Sequence, residues 1–121
     1  MANLYFHNPQ SIERSSKRMH VEIAIGASGA PTIQRGLQVS SVVRNSAGSY
    51  TVTFPKFNRF LGAHFTRVLA TLEFASIQVT AFNAAAGTVT FVTSLAGAAA
   101  DLTSGTVIYM DVDFKNTAVA N

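Results

Sequence analysis

Gly36-Leu37-Gln38-Val39-Ser40-Ser41-Val42-Val43-Arg44-Asn45-Ser46-Ala47-Gly48-Ser49-Tyr50-Thr51-Val52-Thr53-Phe54 carries the pattern of a β-hairpin and sets the class of the domain. Leu37, Val39, Ser41 and Val43 alternate with Gln38, Ser40, Val42 and Arg44, the period of a half-buried strand. Beyond Asn45-Ser46-Ala47-Gly48, Tyr50, Val52 and Phe54 alternate with Thr51 and Thr53. Both arms are rich in β-branched and aromatic residues. A type I turn followed by Gly48 at positive φ would close them as a hairpin with a bulge. A second turn of the same chemistry, Asn83-Ala84-Ala85-Ala86-Gly87, precedes Thr88-Val89-Thr90-Phe91.

Working outward, the same grammar recurs. Val21, Ile23 and Ile25 alternate with His20, Glu22 and Ala24 until Gly26-Ala27-Ser28-Gly29-Ala30-Pro31 breaks the strand. Val68, Ala70, Leu72 and Phe74 predict one face of a longer strand, Ile77, Val79 and Ala81 another, and Val89 and Phe91 a third. Near the end, Ile108, Met110, Val112 and Phe114 are expected inside, with Tyr109, Asp111 and Asp113 outside. Pro55-Lys56-Phe57-Asn58-Arg59-Phe60-Leu61-Gly62 reads as an aromatic-rich loop, and residues 96–105 as a small-residue loop with at most one helical turn. About seven strands joined by short turns predict an all-β domain, an antiparallel β-sandwich or jelly roll.

Residues 1–18 differ from the rest and are read as an N-terminal arm, with the β-sandwich domain over 19–121. Asn8-Pro9 could start a short helix through Gln10–Arg18, with Ile12 its single aliphatic anchor. Leu4, Tyr5 and Phe6 form an apolar cluster ahead of it.

The 121 residues suffice for one domain with a real core. Charged residues make up 12% of the chain, about half the ~25% of ordinary soluble domains. A surface so poor in charge suits coverage by other chains. The charge is also polarised. Residues 1–70 hold eight of nine basic and two of six acidic residues, a net +6, whereas 71–121 hold the remainder, a net −3. That asymmetry suits an acidic partner or contact between identical subunits. There is no cysteine, so disulfide and thiol chemistry are excluded. No leader opens the chain, and no window approaches the ~20 uncharged apolar residues of a spanning helix, so no membrane association is expected.

Catalytic and cofactor motifs are not found. His7, His20 and His64 lack metal-ligand spacing and read as ordinary surface or half-buried imidazoles. Asp111 and Asp113 share a strand face, which is simpler as a solvated face than as a cation site. Gly26-Ala27-Ser28-Gly29 is not a nucleophile elbow, and the glycines fit neither phosphate-binding fingerprint. The expectation is therefore a non-enzyme without metal or cofactor. Arg14, Lys17 and Arg18 form a basic cluster, and Lys56, Phe57, Arg59 and Phe60 interleave charge with aromatics as single-strand binders do. The cluster is modest and the C-terminal half is acidic, so a basic nucleic-acid-binding β-barrel ranks below a protein partner. Phe57 and Phe60 read better as core or interface anchors.

Val39–Phe54, together with Thr106-Val107-Ile108-Tyr109-Met110-Asp111-Val112-Asp113-Phe114 as closing strand, resembles a module of tailed-bacteriophage virion proteins. The resemblance spans about residues 36–114. It implies a β-sandwich found in fibre tips or small capsid-bound proteins, usually as homotrimers. Because this chain has a short arm and no repetitive shaft, the resemblance favours a capsid decoration or cement protein on the phage head. A tail or fibre component, or a receptor- or glycan-binding tip, is the alternative. The implied partner is the major capsid protein. The residues expected to grip it are Leu4, Tyr5, Phe6, Arg14, Lys17, Arg18, Arg44, Phe57, Arg59 and Phe60.

Overall fold

The computed structural model describes residues 16–36 and 39–115. Among these residues nine strands run in the order β1 (Ser16–Ile25), β2 (Pro31–Arg35), β3 (Ser41–Ser46), β4 (Ser49–Thr53), β5 (Arg59–Val68), β6 (Ala75–Asn83), β7 (Thr88–Leu95), β8 (Ala98–Ala99) and β9 (Val107–Lys115). They form two antiparallel sheets, β2-β1-β9-β5 and β3-β4-β7-β6, with the short β8 alongside β7. The all-β sandwich expected from sequence is present.

Alternation builds the core as the sequence predicts. Met19, Val21, Ile23 and Ile25 of β1 and Ile108, Met110, Val112 and Phe114 of β9 are buried on the inner face of the first sheet. Tyr50 and Val52 of β4 and Val89 and Phe91 of β7 face them from the second. Ring contacts join the layers: Phe54 meets Phe114 edge-on at 5.2 Å, and Phe57 stacks on Phe114 at 4.2 Å. Phe65 meets Phe91 at 5.3 Å. Buried aromatic pairs of this geometry add to their area burial.

Four expectations change. The helix read through Arg18 does not reach Ser16–Arg18, which are strand paired with Lys115, Phe114 and Asp113 of β9. The first hairpin arm begins at Ser41 and turns through Ala47-Gly48, and Val42, not Val43, packs on the core. Val43 is 52% exposed. Strand β5 starts inside the expected aromatic loop and ends at Val68, so Ala70, Leu72 and Phe74 lie in a connecting loop. The segment 96–105 carries the two-residue β8 in place of a helical turn.

Bulges explain much of the difference. In β5 the register shifts between Phe60 and Gly62, so the inner positions run Phe60, Ala63, Phe65. In β6 a shift between Val79 and Ala81 does the same, which turns Phe82 toward Val89. One extra residue flips every later side chain, and a strict period of two no longer applies.

The two glycine turns behave as read: Gly48 and Gly87 have φ of 75° and 74°. A Cβ on Gly87 would lie 2.3 Å from the Phe54 carbonyl oxygen, and one on Gly48 would lie 2.6 Å from that of Thr93. Phe54 is held there by its own amide, which donates to the Gly87 carbonyl at 2.7 Å, and the Thr93 carbonyl accepts from the Ala100 amide at 3.1 Å. Gly87→Ala is therefore expected to destabilise the fold by at least about 2 kcal/mol, from left-handed strain plus the clash. Urea unfolding checks it, and a loss under about 0.5 kcal/mol would contradict the packing.

Candidate functional site: two unlike faces and a basic end

The outer faces of the two sheets are chemically opposite. On the first sheet, charges pair across strands because β9 lies between β1 and β5. Arg18 donates to Asp113 through Nε at 2.8 Å and Nη2 at 3.4 Å. His20 Nδ1 lies 2.6 Å from Asp111, its Nε2 lies 3.4 Å from Glu22, and Arg35 stands 3.8 Å from the same Glu22. His64 of β5 occupies the position opposite Asp111 on the other side. Two histidines far apart in sequence thus flank one aspartate, a placement only strand pairing produces. Among the described residues, no three His, Asp or Glu side chains are arranged to hold a metal ion. The Asp111 hydrogen bond raises the His20 pKa above its ordinary value. A raised histidine pKa stabilises the fold below the unfolded value near 6.5 and ceases to do so as pH rises through the folded one.

The second sheet is different. Its strands contain one charged residue, Arg44, and that side chain does not lie on the outer face. Arg44 pairs with Tyr50, an inward position, and reaches Asp101. The outer face is uncharged: beside exposed Val43 it carries neutral hydrogen bonds, Ser41 to Thr53 at 3.3 Å, Asn45 to Thr51 at 2.8 Å, Thr51 to Thr90 at 3.0 Å, and Ser76 to Ser94 at 2.5 Å. The low charge of the chain is concentrated here, on one neutral face.

Asp101 makes the densest polar node. Its carboxylate accepts from Arg44 Nη2 at 2.7 Å and Nε at 3.0 Å, from the Gly48 amide at 2.8 Å, and from the Tyr50 hydroxyl at 3.1 Å. Tyr50 Oη also lies 3.0 Å from the Gly29 carbonyl, in the turn between β1 and β2. Charge-assisted bonds from Arg44 hold the Asp101 carboxyl at about 2, whereas burial pushes the Tyr50 hydroxyl up to about 12. This node latches the hairpin of one sheet to the turn of the other. Its role is structural, and no motif in the sequence announced it.

The residues expected to grip a partner divide into groups. Leu4, Tyr5, Phe6 and Arg14 lie outside the described residues. Lys17, Arg18, Arg59 and Phe60 come together, because β9 carries Lys115 between Ser16 and Arg59, and Phe114 between Lys17 and Phe60. Exposed Lys56 joins them at this end of the sandwich. Arg44 sits at the opposite end, and its guanidinium is engaged by Asp101. Phe57 is 4% exposed and belongs to the core, so it does not present a surface. Phe60 is half-buried and stacks on Phe82 at 4.9 Å.

A feature the sequence reading missed lies in the β5–β6 loop. Leu72 and Phe74 are 85% and 84% exposed, while Glu73 between them is turned inward. Arg67 holds Glu73 through Nη1 at 3.2 Å to the carboxylate and Nη2 at 2.5 Å to the carbonyl, and Thr103 donates to the same carboxylate. The chain hides its acid and shows its apolar side chains. Beside Phe74 lies a shallow recess of about 280 Å³, lined by Ala75, Ser76, Ser94, Ala96 and Gly97.

No known protein family, characterised protein or solved structure matches this chain.

The latch gives a pH-dependent prediction. Replacing Asp101 by Asn is expected to cost about 2 kcal/mol at pH 7, the scale of hydrogen bonds to a charged group. Because the folded carboxyl is depressed, its stabilisation is present above the unfolded value of 3.8 and lost as pH falls toward about 2. Urea unfolding of both proteins across that range should show the gap closing with acid. A constant gap would contradict the charged latch.

Proposed function

We propose that the chain is a structural virion protein, a decoration or cement protein that binds and reinforces a major capsid protein lattice on a phage head. The observation that carries this reading is the neutral outer face of the second sheet, whose strands hold Arg44 as their single charge and spend it on Asp101. A face of hydroxyls that already satisfy one another is cheap to desolvate against a flat protein neighbour. The resemblance in residues 36–114 to phage virion modules points the same way.

The mechanism is mechanical. The latched sandwich is a rigid block, and its basic end, with Lys17, Lys56 and Arg59, is where residues 1–15 join. That end and the Leu4-Tyr5-Phe6 arm grip an acidic intersubunit seam, while the neutral face packs on neighbouring subunits. Many modest contacts repeated over a lattice add through multivalency. A basic single-strand binder has less support, because Arg18, Arg44 and Arg67 each hold a carboxylate of this chain.

Co-sedimentation with purified heads of the phage that encodes the chain tests the reading. The full chain is expected to pellet with heads. Deleting residues 1–15, or combining Lys56→Glu with Arg59→Glu, should weaken binding at least about tenfold, with circular dichroism unchanged. Full-chain protein that stays in the supernatant, or variants that bind undiminished, would contradict it.

A further inference from the structure

A sandwich of two open sheets has four edge strands, and each exposed edge is a template for another chain unless it is blunted. In this protein the two sheets end in β2 and β5, and in β3 and β6. Three of these carry the usual protection. Strand β2 is five residues long, starts at Pro31 and ends at Arg35. Strand β3 is six residues long, contains Arg44, and has a register shift between Arg44 and Ser46. Strand β5 contains Arg59, His64 and Arg67, and a shift between Phe60 and Gly62.

Strand β6 has almost none of this. Ala75-Ser76-Ile77-Gln78-Val79-Thr80-Ala81-Phe82-Asn83 is nine residues long with no charge and no proline, and its five residues before the bulge are regular. Among the described residues it pairs with β7 alone. Its two ends are apolar and exposed: Leu72 and Phe74 precede it, and Phe82, 55% exposed, lies near its finish beside half-buried Phe60. The Arg67–Glu73–Thr103 cluster fixes the loop so that Leu72 and Phe74 point away from the body.

We infer that β6 is a self-association edge, at which two copies of this chain pair their Ala75–Val79 segments antiparallel into one continuous sheet. A second copy is the occupant that fits, because the edge is self-complementary. With no charge on β6, its own image meets no like-charge repulsion. An antiparallel arrangement carries the Leu72–Phe74 end of each copy toward the Phe82 end of the other. Apolar surface then meets apolar surface at both ends, as an isologous contact requires. The neutral outer faces of the two second sheets become one face of twice the width. The inference deepens the assembly reading by naming the surface between copies, and rests on its self-association part. It replaces the trimer expected from the resemblance with a two-fold contact.

Light scattering coupled to size exclusion tests it on the full chain alone, without capsids. The expected mass at tens of micromolar is twice the 12.9 kDa of one chain. Combining Phe74→Lys with Gln78→Lys, both at exposed positions, should return the protein to monomer. Gln34→Lys with Thr32→Lys, which adds the same charge to exposed positions of β2, should leave the dimer intact. Should the first pair fail to fold, hydrogen exchange of the unmodified chain replaces it. Amides of β6 should then exchange at least tenfold more slowly at high than at low protein concentration, with β2 amides unaffected. A monomeric or trimeric full chain, a dimer indifferent to the β6 lysines, or β6 exchange independent of concentration would overturn the inference. A monomer that still pellets with heads refutes the β6 edge and spares the capsid reading, whereas a β6 dimer that ignores heads does the reverse.

Discussion

The hydrogen-bonded carboxylate of Asp101 is the constraint on which the sandwich's closure depends. It gathers Arg44, the Gly48 amide and the Tyr50 hydroxyl from one sheet, and Tyr50 shares its one hydroxyl proton with the Gly29 carbonyl in the β1–β2 turn of the other. Space there is filled so fully that a Cβ on Gly29 would lie 2.3 Å from the Asp101 carboxyl carbon. The far end is closed differently, by Phe54 and Phe57 packed on Phe114 and by the Asn58 amide donating to the Lys115 carbonyl at 2.9 Å. A polar clamp at one end and an aromatic one at the other leave the aliphatic middle little freedom to slide.

Within that frame the chain divides its charge between faces. The first sheet pairs Arg18 with Asp113 and His20 with Asp111 on its outer surface, at exposed positions where such pairs are worth little stability. The second sheet satisfies its outer polar atoms with neutral neighbours. The division makes one side suited to water and the other to contact. The inverted Leu72-Glu73-Phe74 loop belongs to the same pattern, since Arg67 and Thr103 each donate to the Glu73 carboxylate and Arg67 also holds the Glu73 carbonyl.

Much of the fold was legible in the sequence where local chemistry leaves few choices. Gly48 and Gly87 sit where the chain needs positive φ, and the alternation of β9 and of β1 from Met19 onward matches their buried faces. Strand β5 was not legible, because its inner residues Phe60 and Ala63 stand three apart across the bulge. The opposite error occurred at Val68, Ala70, Leu72 and Phe74, whose alternation imitates a strand although the last three lie in a loop held by Arg67. Neither the latch nor the His20–Asp111 contact could be read, since their members lie 57 and 91 residues apart and meet only through sheet pairing. The basic end was half legible: Lys17 with Arg18, and Lys56 with Arg59, are local clusters, and β9 brings the two together.

Under the proposed function, this sandwich is built into a particle surface. Imaging phage particles by electron cryomicroscopy at a resolution that separates strands tests it most directly. Density for the two-sheet block is expected at regular positions on the head, with its basic end against the shell at a seam between capsid subunits. Particles whose heads carry no such density, or that show the block at the tail tip alone, would contradict it.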